Sequence, residues 1–271
     1  MKPFHREAGS GPALVCIHAN ASQSTQWRGL MDLLSPTHRI IAPDNYGAGK
    51  SPDWHSRSHI SLQDEVDFLE PVFSLPGEPF TLVGHSYGGA VALRAALANP
   101  ARVRALILYE PTLFAVINPA SLSASEANRI QGVVDDAGQA IDRGDTDAAA
   151  EFFLDYWMGA GTWRRTPDER KGPIAASMVN VRRWGHALTT DDAPLDAFSA
   201  LNMPVLYMVG GQSPASAHAV AERLMSVLPN ATHHLFPELG HMGPVTNPDV
   251  VNEVIARFVN EDHSISAVPR T

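Results

Sequence analysis

An α/β fold, with a mostly parallel central sheet flanked by helices and a helical stretch inserted between two strands, is what this sequence predicts. Three observations carry that expectation. Apolar runs of strand length alternate with amphipathic runs of helical length, the pattern left when strands are covered on both faces by crossover helices. The run Phe80-Thr81-Leu82-Val83 leads through Gly84-His85-Ser86-Tyr87-Gly88-Gly89 directly into an alanine-rich segment. From about Leu113 to Ser199 the alternation lapses and no convincing strand appears.

Taken in order, Ala13–His18 reads as a buried strand. Thr25–Leu34 reads as a helix with Trp27, Leu30, Met31 and Leu34 on one stripe, and Arg39–Pro43 as the next strand. Ser61 opens a helix in which Asp64, three residues on, completes a capping box. Phe80–Gly84 is a strand, Gly88–Asn99 a helix stopped before Pro100, and Val103–Tyr109 another strand. Within the insertion, Ser123-Ala124-Ser125-Glu126 and Thr166-Pro167-Asp168-Glu169 carry helix-start signals, the second with proline in the first turn. The alternation resumes with a strand at Val205–Val209, a helix around Ala217–Leu228, a strand near Thr232–Phe236 and a last helix opened by Asn247-Pro248-Asp249. The expected organisation is a core of residues 1–112 and 200–271 with a helical cap, 113–199, over the edge of the sheet where its strands end.

Composition narrows the class. A chain of 271 residues that is 44% hydrophobic can bury one large core. The 29 acidic against 20 basic residues give a net charge of −9, with no basic block to track phosphates, so nucleic acid is not an expected partner. The single cysteine, Cys16, lies in the apolar run Ala13–Ile17, which excludes internal disulfides and fits a reducing compartment. No apolar stretch approaches the length of a membrane span and the first residues carry no signal-peptide pattern, so the expectation is a cytoplasmic protein without membrane association. The sequence does not fix an oligomeric state.

The segment around Ser86 carries the chemistry. Gly-x-Ser-x-Gly between a strand and a helix is the context of a nucleophile elbow, where small residues at 84 and 88 allow a sharp turn that presents Ser86 Oγ at a helix N-terminus. A plain glycine-rich turn is the alternative, and the flanking strand and helix count against it. A serine hydroxyl is a weak nucleophile, so the reading requires a histidine in the loop after the last strand. His241, in Gly240-His241-Met242-Gly243-Pro244, sits there, whereas His233 and His234 fall within the strand.

With the elbow, the strand and helix order, the insertion and the terminal Gly-His loop in view, the chain resembles the α/β-hydrolase superfamily over nearly its whole length. Such enzymes usually carry their acid after the strand that follows the cap, as Gly-x-x-Asp; Gly210-Gly211-Gln212-Ser213 offers serine instead. Glu110, at the end of the strand Val103–Tyr109, would lie at the same edge, and Leu108-Tyr109-Glu110 is similar to the acid position of many haloalkane dehalogenases. Asp191 or Asp192 in the cap are the alternatives, with Glu238 weaker because it lies only three residues from His241. The oxyanion hole maps to the backbone N–H groups of Tyr87 and Asn20. His18-Ala19-Asn20 followed by Trp27 again resembles the dehalogenases, with Ala19 where they carry glycine. Dehalogenation itself needs a carboxylate nucleophile, which Ser86 is not. Trp157, Trp163 and Trp184 from the cap, with Met242 beside the histidine, are candidates to line a substrate pocket; ordinary core packing is the alternative for the aromatics.

Two other patterns lead nowhere. Gly47-Ala48-Gly49-Lys50-Ser51 lacks the first glycine of a phosphate-binding loop, since Asp44 holds that place. His55 and His59 have metal-like spacing but no acidic partner in register. No metal and no cofactor are therefore expected, and the substrate is a small molecule. The expected function is hydrolysis of carboxylic esters of small, largely apolar substrates through an acyl-enzyme on Ser86. A carbon–carbon bond hydrolase of ring-cleavage products, a thioesterase, a lactonase or an acyltransferase would share the same serine. A non-catalytic ligand-binding relative is the reading from a different class.

Overall fold

Strand and helix succeed one another in a computed structural model that describes residues 2–55, 59–77, 79–117 and 124–261. The first half contains β1 (His5–Ala8), β2 (Ala13–Ile17), α1 (Arg28–Leu34), β3 (Arg39–Pro43), α2 (Leu62–Phe73), β4 (Phe80–His85), α3 (Tyr87–Ala98) and β5 (Val103–Tyr109). Among the described residues, helices and no strand follow: α4 (Ala124–Asp142), α5 (Thr146–Met158), α6 (Thr162–Arg165), α7 (Asp168–Ser177) and α8 (Val181–Thr189). The chain then returns through β6 (Val205–Gly210), α9 (Ala215–Met225), β7 (Ala231–Phe236), α10 (Gly243–Thr246) and α11 (Pro248–Asn260).

The seven strands form one sheet in the order β1-β3-β2-β4-β5-β6-β7, parallel except for β1, which runs antiparallel to β3. Period-two alternation divides the apolar side chains between two faces. Val15, Ile17, Leu106, Leu108, Val205 and Tyr207 join α2, α3 and α9 in one core cluster. Leu14, Cys16, Ile107, Tyr109, Leu206 and Met208 join α1 and α11 in the other. Cys16 is fully buried and unpaired, and burial pushes its thiol pKa upward, so it behaves as a small hydrophobe. The helices between β5 and β6 have a smaller cluster of their own, built from Ala137, Ala140, Ala149, Leu154, Trp163, Met178 and Val181.

Local signals mostly act as the sequence predicts. The Ser61–Asp64 box forms in both directions, Asp64 N–H donating to Ser61 Oγ at 3.1 Å and Ser61 N–H to Asp64 Oδ2 at 2.9 Å. Proline opens α11 at its first position.

Four details differ. Strand β1 was not expected, because His5-Arg6-Glu7-Ala8 is a short, polar edge strand whose pairing rests on backbone hydrogen bonds rather than on an apolar pattern. The helix expected from Thr25 begins as a 3-10 turn, Ser24–Trp27, before α1. The Thr166 box does not form: its hydroxyl turns back to donate to the Thr162 carbonyl at 2.9 Å, and α7 starts at Asp168 without a side-chain cap. Helix α9 runs from Ala215 rather than Ala217 and stops at Met225 rather than near Leu228. Ser123, which opens the other expected box, lies outside the described residues.

Gly88 shows how tightly the centre is built, since a Cβ there would strike the backbone carbonyls of Ile17 and His18, neither of which can move without shifting β2. By contrast, Gly132 in α4 has nothing within 4 Å of that position. Gly88→Ala is therefore expected to cost about 3 kcal/mol or more of stability. Gly132→Ala should gain up to about 1 kcal/mol. Urea unfolding of the two variants checks both signs.

Candidate active site

Strand β4 ends in a sharp turn at Ser86, which occupies φ 56° and ψ −119° immediately before α3. Such a conformation costs about 1–3 kcal/mol in a residue other than glycine and persists only where neighbours hold it. Here they are backbone groups: Ser86 N–H donates to the Tyr109 carbonyl at 3.0 Å, and the Ser86 carbonyl accepts from Gly89 and Ala90 at 2.9 and 3.1 Å. The two elbow glycines are required by close approach rather than by positive φ. A Cβ at Gly84 would meet the backbone of Gly88 and Gly89, and one at Gly88 would meet β2.

His241 lies in the loop between β7 and α10, and its Nε2 is 2.9 Å from Ser86 Oγ. Its other nitrogen, Nδ1, is 2.7 Å from Glu110 Oε2. Ser86, His241 and Glu110 are 6%, 2% and 0% exposed, so this row of hydrogen bonds is shut off from bulk water. Glu110 follows β5 at φ 43°, and its second oxygen, Oε1, accepts the Gly210 N–H at 2.6 Å. Gly210 ends β6, so the strand that commonly carries the acid in this resemblance instead clamps an acid supplied by its neighbour. Asp191 and Asp192 lie elsewhere, turned to Arg94 at 3.7 and 2.9 Å. Glu238 is exposed.

Tyr87 is the first residue of α3, so its N–H has no acceptor within the helix and sits at the positive end of the dipole beside Ser86. Asn20 and Ser86 line the same small cavity. The Ala19–Asn20 peptide is held by His18, whose Nδ1 donates to the Ala19 carbonyl at 2.7 Å while Nε2 accepts from Asn45 N–H at 3.1 Å. In a planar trans peptide the carbonyl direction fixes that of the N–H, so His18 sets where Asn20 N–H points. Burial holds the His18 pKa below the ordinary histidine value, which keeps one nitrogen an acceptor. Ala19, in place of glycine, is accommodated without positive φ; the left-handed turn falls on Ala21, φ 53°.

Of the aromatic candidates, Trp157 comes closest to Ser86 and His241. Its ring stacks on the His241 imidazole with centroids 4.0 Å apart and planes 27° from parallel. Trp157 and Trp184 both line the cavity at Ser86, which measures only about 30 Å³ and is otherwise walled by Thr112, Phe114, Ile130, Val133, Val134, Phe153, Val181, Gly185 and Leu188. Met242 lines a neighbouring cavity of about 600 Å³ together with Trp157, Met158, Pro173 and Ile174. A third, of about 670 Å³, runs along Gln23, Gln26, Asn45 and Gly47. All three cavities touch Asn20. Trp163 lines none of them; it is buried in the cluster that α4–α8 share, with Lys171 Nζ 5.7 Å from its ring. Among the described residues, no group of three or more histidine, cysteine or acidic side chains is placed to hold a metal ion, and no helix is long and apolar enough to cross a membrane.

The profile of the family described as the alpha/beta hydrolase fold matches residues 12–248. The chain belongs to that family. A putative carbamate hydrolase of Variovorax paradoxus is 27% identical over 264 residues, covering 95% of this chain and 96% of its own. The pimeloyl-[acyl-carrier protein] methyl ester esterase of Nitrosomonas europaea is 28% identical over 263 residues, covering 92% and 96%. Uncharacterized mycobacterial proteins from Mycobacterium bovis and Mycobacterium tuberculosis are 39% identical over 104 residues, so this chain spans only 30% of their length. Among solved structures, a hydrolase from Oleispira antarctica superposes with a TM-score of 0.78 at 18% identity over 96% of each chain, a likeness of fold. The carbamate hydrolase and methyl ester esterase relatives match along nearly their full length.

Several residues of this α/β hydrolase that support the site carry no motif. His85 and Gln26, described below, are two; Glu65 of α2 is a third. Glu65 is 1% exposed and accepts Tyr46 N–H at 2.8 Å and the Tyr87 hydroxyl at 3.1 Å, tying the loop after β3 to the residue that follows Ser86. Burial pushes its pKa from 4.5 up to about 7, outweighing those two hydrogen bonds. Between the two values the folded protein keeps a proton that the unfolded chain has released, so the contribution of this group to stability falls as pH rises through the window. Glu65→Gln, which resembles the protonated acid, should remove that loss. Relative to the parent, its stability should rise by up to about 3 kcal/mol between pH 4.5 and pH 8, read from urea unfolding at each pH.

Proposed function

We propose that this chain is a serine hydrolase that cleaves carboxylic esters bearing small, apolar acyl groups, by two-step acyl transfer at Ser86. The observation that carries the reading is the buried row Ser86 Oγ, His241 Nε2 and Nδ1, Glu110 Oε2, with its 2.9 and 2.7 Å spacings. An ionised Glu110 can only accept, so the proton of a neutral His241 resides on Nδ1 and the lone pair of Nε2 faces the serine hydroxyl. That is the tautomer a general base needs. Relatives named for carbamate and methyl ester hydrolysis also act at a carbonyl carbon bonded to a heteroatom, which supports the same class of reaction.

In the first step Ser86 Oγ bonds to the ester carbonyl carbon as its proton passes to His241 Nε2. The carbonyl oxygen, now negative, is received by the N–H groups of Tyr87 and Asn20. Collapse expels the alcohol, which takes the proton from His241, and leaves an acyl group on Ser86. Water repeats the sequence in reverse roles and frees the acid. Glu110 stabilises the imidazolium throughout, and the stacked ring of Trp157 offers it a further electrostatic partner. Helices α4, α5 and α8, within the expected cap, cover this site.

The cavity of about 30 Å³ at Ser86 supports the choice of small acyl groups, since about 10–15 Å³ of such space already holds one water and only a few heavy atoms fit in it. The alcohol portion extends past Asn20 into the cavity beside Met242.

Ser86→Ala should lower kcat for p-nitrophenyl acetate at least about 1,000-fold with an unchanged urea midpoint; turnover at the parental rate would sink the assignment. Glu110→Gln should lower kcat by about 100- to 10,000-fold through loss of the favoured tautomer. A small effect there, with a large one in Asp191→Asn or Asp192→Asn, would show that the acid is misplaced. Across p-nitrophenyl esters, kcat/KM should fall at least about tenfold from acetate to octanoate. Leu188→Ala, which widens the cavity wall, should narrow that gap.

A further inference from the structure

A second row of hydrogen bonds runs behind the first. Ala19 N–H donates to Gln26 Oε1 at 3.1 Å, Gln26 Nε2 lies 3.1 Å from His85 Nδ1, and His85 Nε2 lies 2.8 Å from the carbonyl oxygen of His241. The protonation of the whole row is determined by its ends. Ala19 N–H can only donate, which turns the Gln26 amide so that its NH₂ faces His85; that NH₂ can only donate, so Nδ1 must accept. His85 therefore carries its proton on Nε2 and gives it to a carbonyl that can only accept. Every group is satisfied by one arrangement, and no member can reverse alone.

We infer that Gln26 is a positioning residue: through His85 it holds the oxyanion segment around Asn20 and the loop that carries His241 in a single hydrogen-bonded register. The inference rests on the proposed serine hydrolase and concerns how its two halves stay aligned. The segment at Asn20 follows β2 and the loop at His241 follows β7, on opposite sides of the elbow in the order of the sheet. His85, the residue before Ser86, reaches from β4 between them and is wholly buried. Its pKa is held well below the ordinary value, first by burial and then by the nearby His241, so the ring stays neutral and Nδ1 remains an acceptor for Gln26. Gln26 forms its hydrogen bonds to Ala19 and His85, not to Ser86. Its influence passes through Ala19, whose N–H it engages while His18 engages the carbonyl of the same residue. Errors below an ångström in such donors cost rate rather than ground-state binding, because the donors act on charge that appears only in the transition state.

Gln26→Leu removes both polar ends while keeping side-chain bulk at a part-buried position. On p-nitrophenyl acetate the expected result is a fall in kcat of at least about tenfold with KM within about threefold of the parent. Affinity for an aryl trifluoromethyl ketone, whose carbonyl carbon bonds to Ser86 Oγ as the serine proton moves to His241, should fall by the same factor as kcat/KM. Hydrogen exchange read by mass spectrometry should accelerate in two separate segments, 18–22 and 239–243, beyond any change elsewhere; the urea midpoint falls because His85 Nδ1 and Ala19 N–H lose their partner, but the variant stays folded without urea. The second segment lies far from residue 26 in sequence, and a merely local packing role would leave it unaltered. Exchange in 239–243 at the parental rate, kcat within twofold of the parent, or a loss of kcat equal to the loss of folded protein would each overturn the relay. A fluorophosphonate probe reports separately on the underlying reading: failure to label Ser86 in the parent removes the serine hydrolase itself, whereas labelling together with any of those outcomes removes only the role of Gln26.

Discussion

A carboxylate with no exposure to water, Glu110, is the constraint around which the centre of this molecule is arranged. A buried carboxylate of this kind is tolerated only when its oxygens are met by donors, and a buried acceptor left without one costs about 1–3 kcal/mol or more. Gly210 N–H meets one oxygen and His241 Nδ1 the other, so the ends of β5 and β6 and the loop after β7 must converge on a single point. That convergence also brings His241 Nε2 to Ser86, and the backbone link from Ser86 N–H to Tyr109 closes the circuit back to β5. Folding and the geometry of the site are thereby the same requirement.

Strain is concentrated in the same place. The three residues other than glycine with positive φ among those described, Ala21, Ser86 and Glu110, all lie at strand ends or loops around the serine. Each would relax if its neighbours loosened, and each is held by a different device. Ser86 is held by backbone hydrogen bonds and by glycines that let β4, α3 and β2 touch; Glu110 by its two donors; the segment before Ala21 by His18 and Gln26. Close packing in the sheet supplies the rigidity that makes such conformations persist.

The helices between β5 and β6 create a tension that bears on substrate. Trp157 lies over His241, and side chains of α4, α5 and α8 reduce the space above Ser86 to about 30 Å³. Exclusion of water strengthens every electrostatic contact inside and would favour the charge separation of the proposed acyl transfer. The same walls restrict what reaches the serine, and the larger cavities on the far side of Asn20 offer room for whatever does not fit beside it.

Much of the fold was legible in the sequence because a parallel sheet covered on both faces leaves continuous apolar runs, and because the elbow requires glycine at fixed offsets from a serine. Local chemistry wrote those signals. The positions of Ser86 and His241 relative to their strands, and of Glu110 at the end of β5, belong to the same category. Strand β1 was illegible because an edge strand can be polar on both faces, and the Thr166 cap because a hydroxyl can turn back to donate to a carbonyl behind it instead of accepting from the helix N–H ahead. Trp163 and Trp157 are indistinguishable as residues in helical segments; only the packing of α5 and α6 turns one onto His241 and the other into a helical core. Gln26 and His85 carry no motif, since a hydrogen bond between residues 59 positions apart exists only once β2 and β4 lie side by side. The sequence by itself determined most of the elements and which side chains are candidates for the proposed acyl transfer. Tertiary structure alone decided which of those side chains meet, because hydrogen bonds and ring contacts depend on distances of a few ångströms that spacing along a chain does not encode.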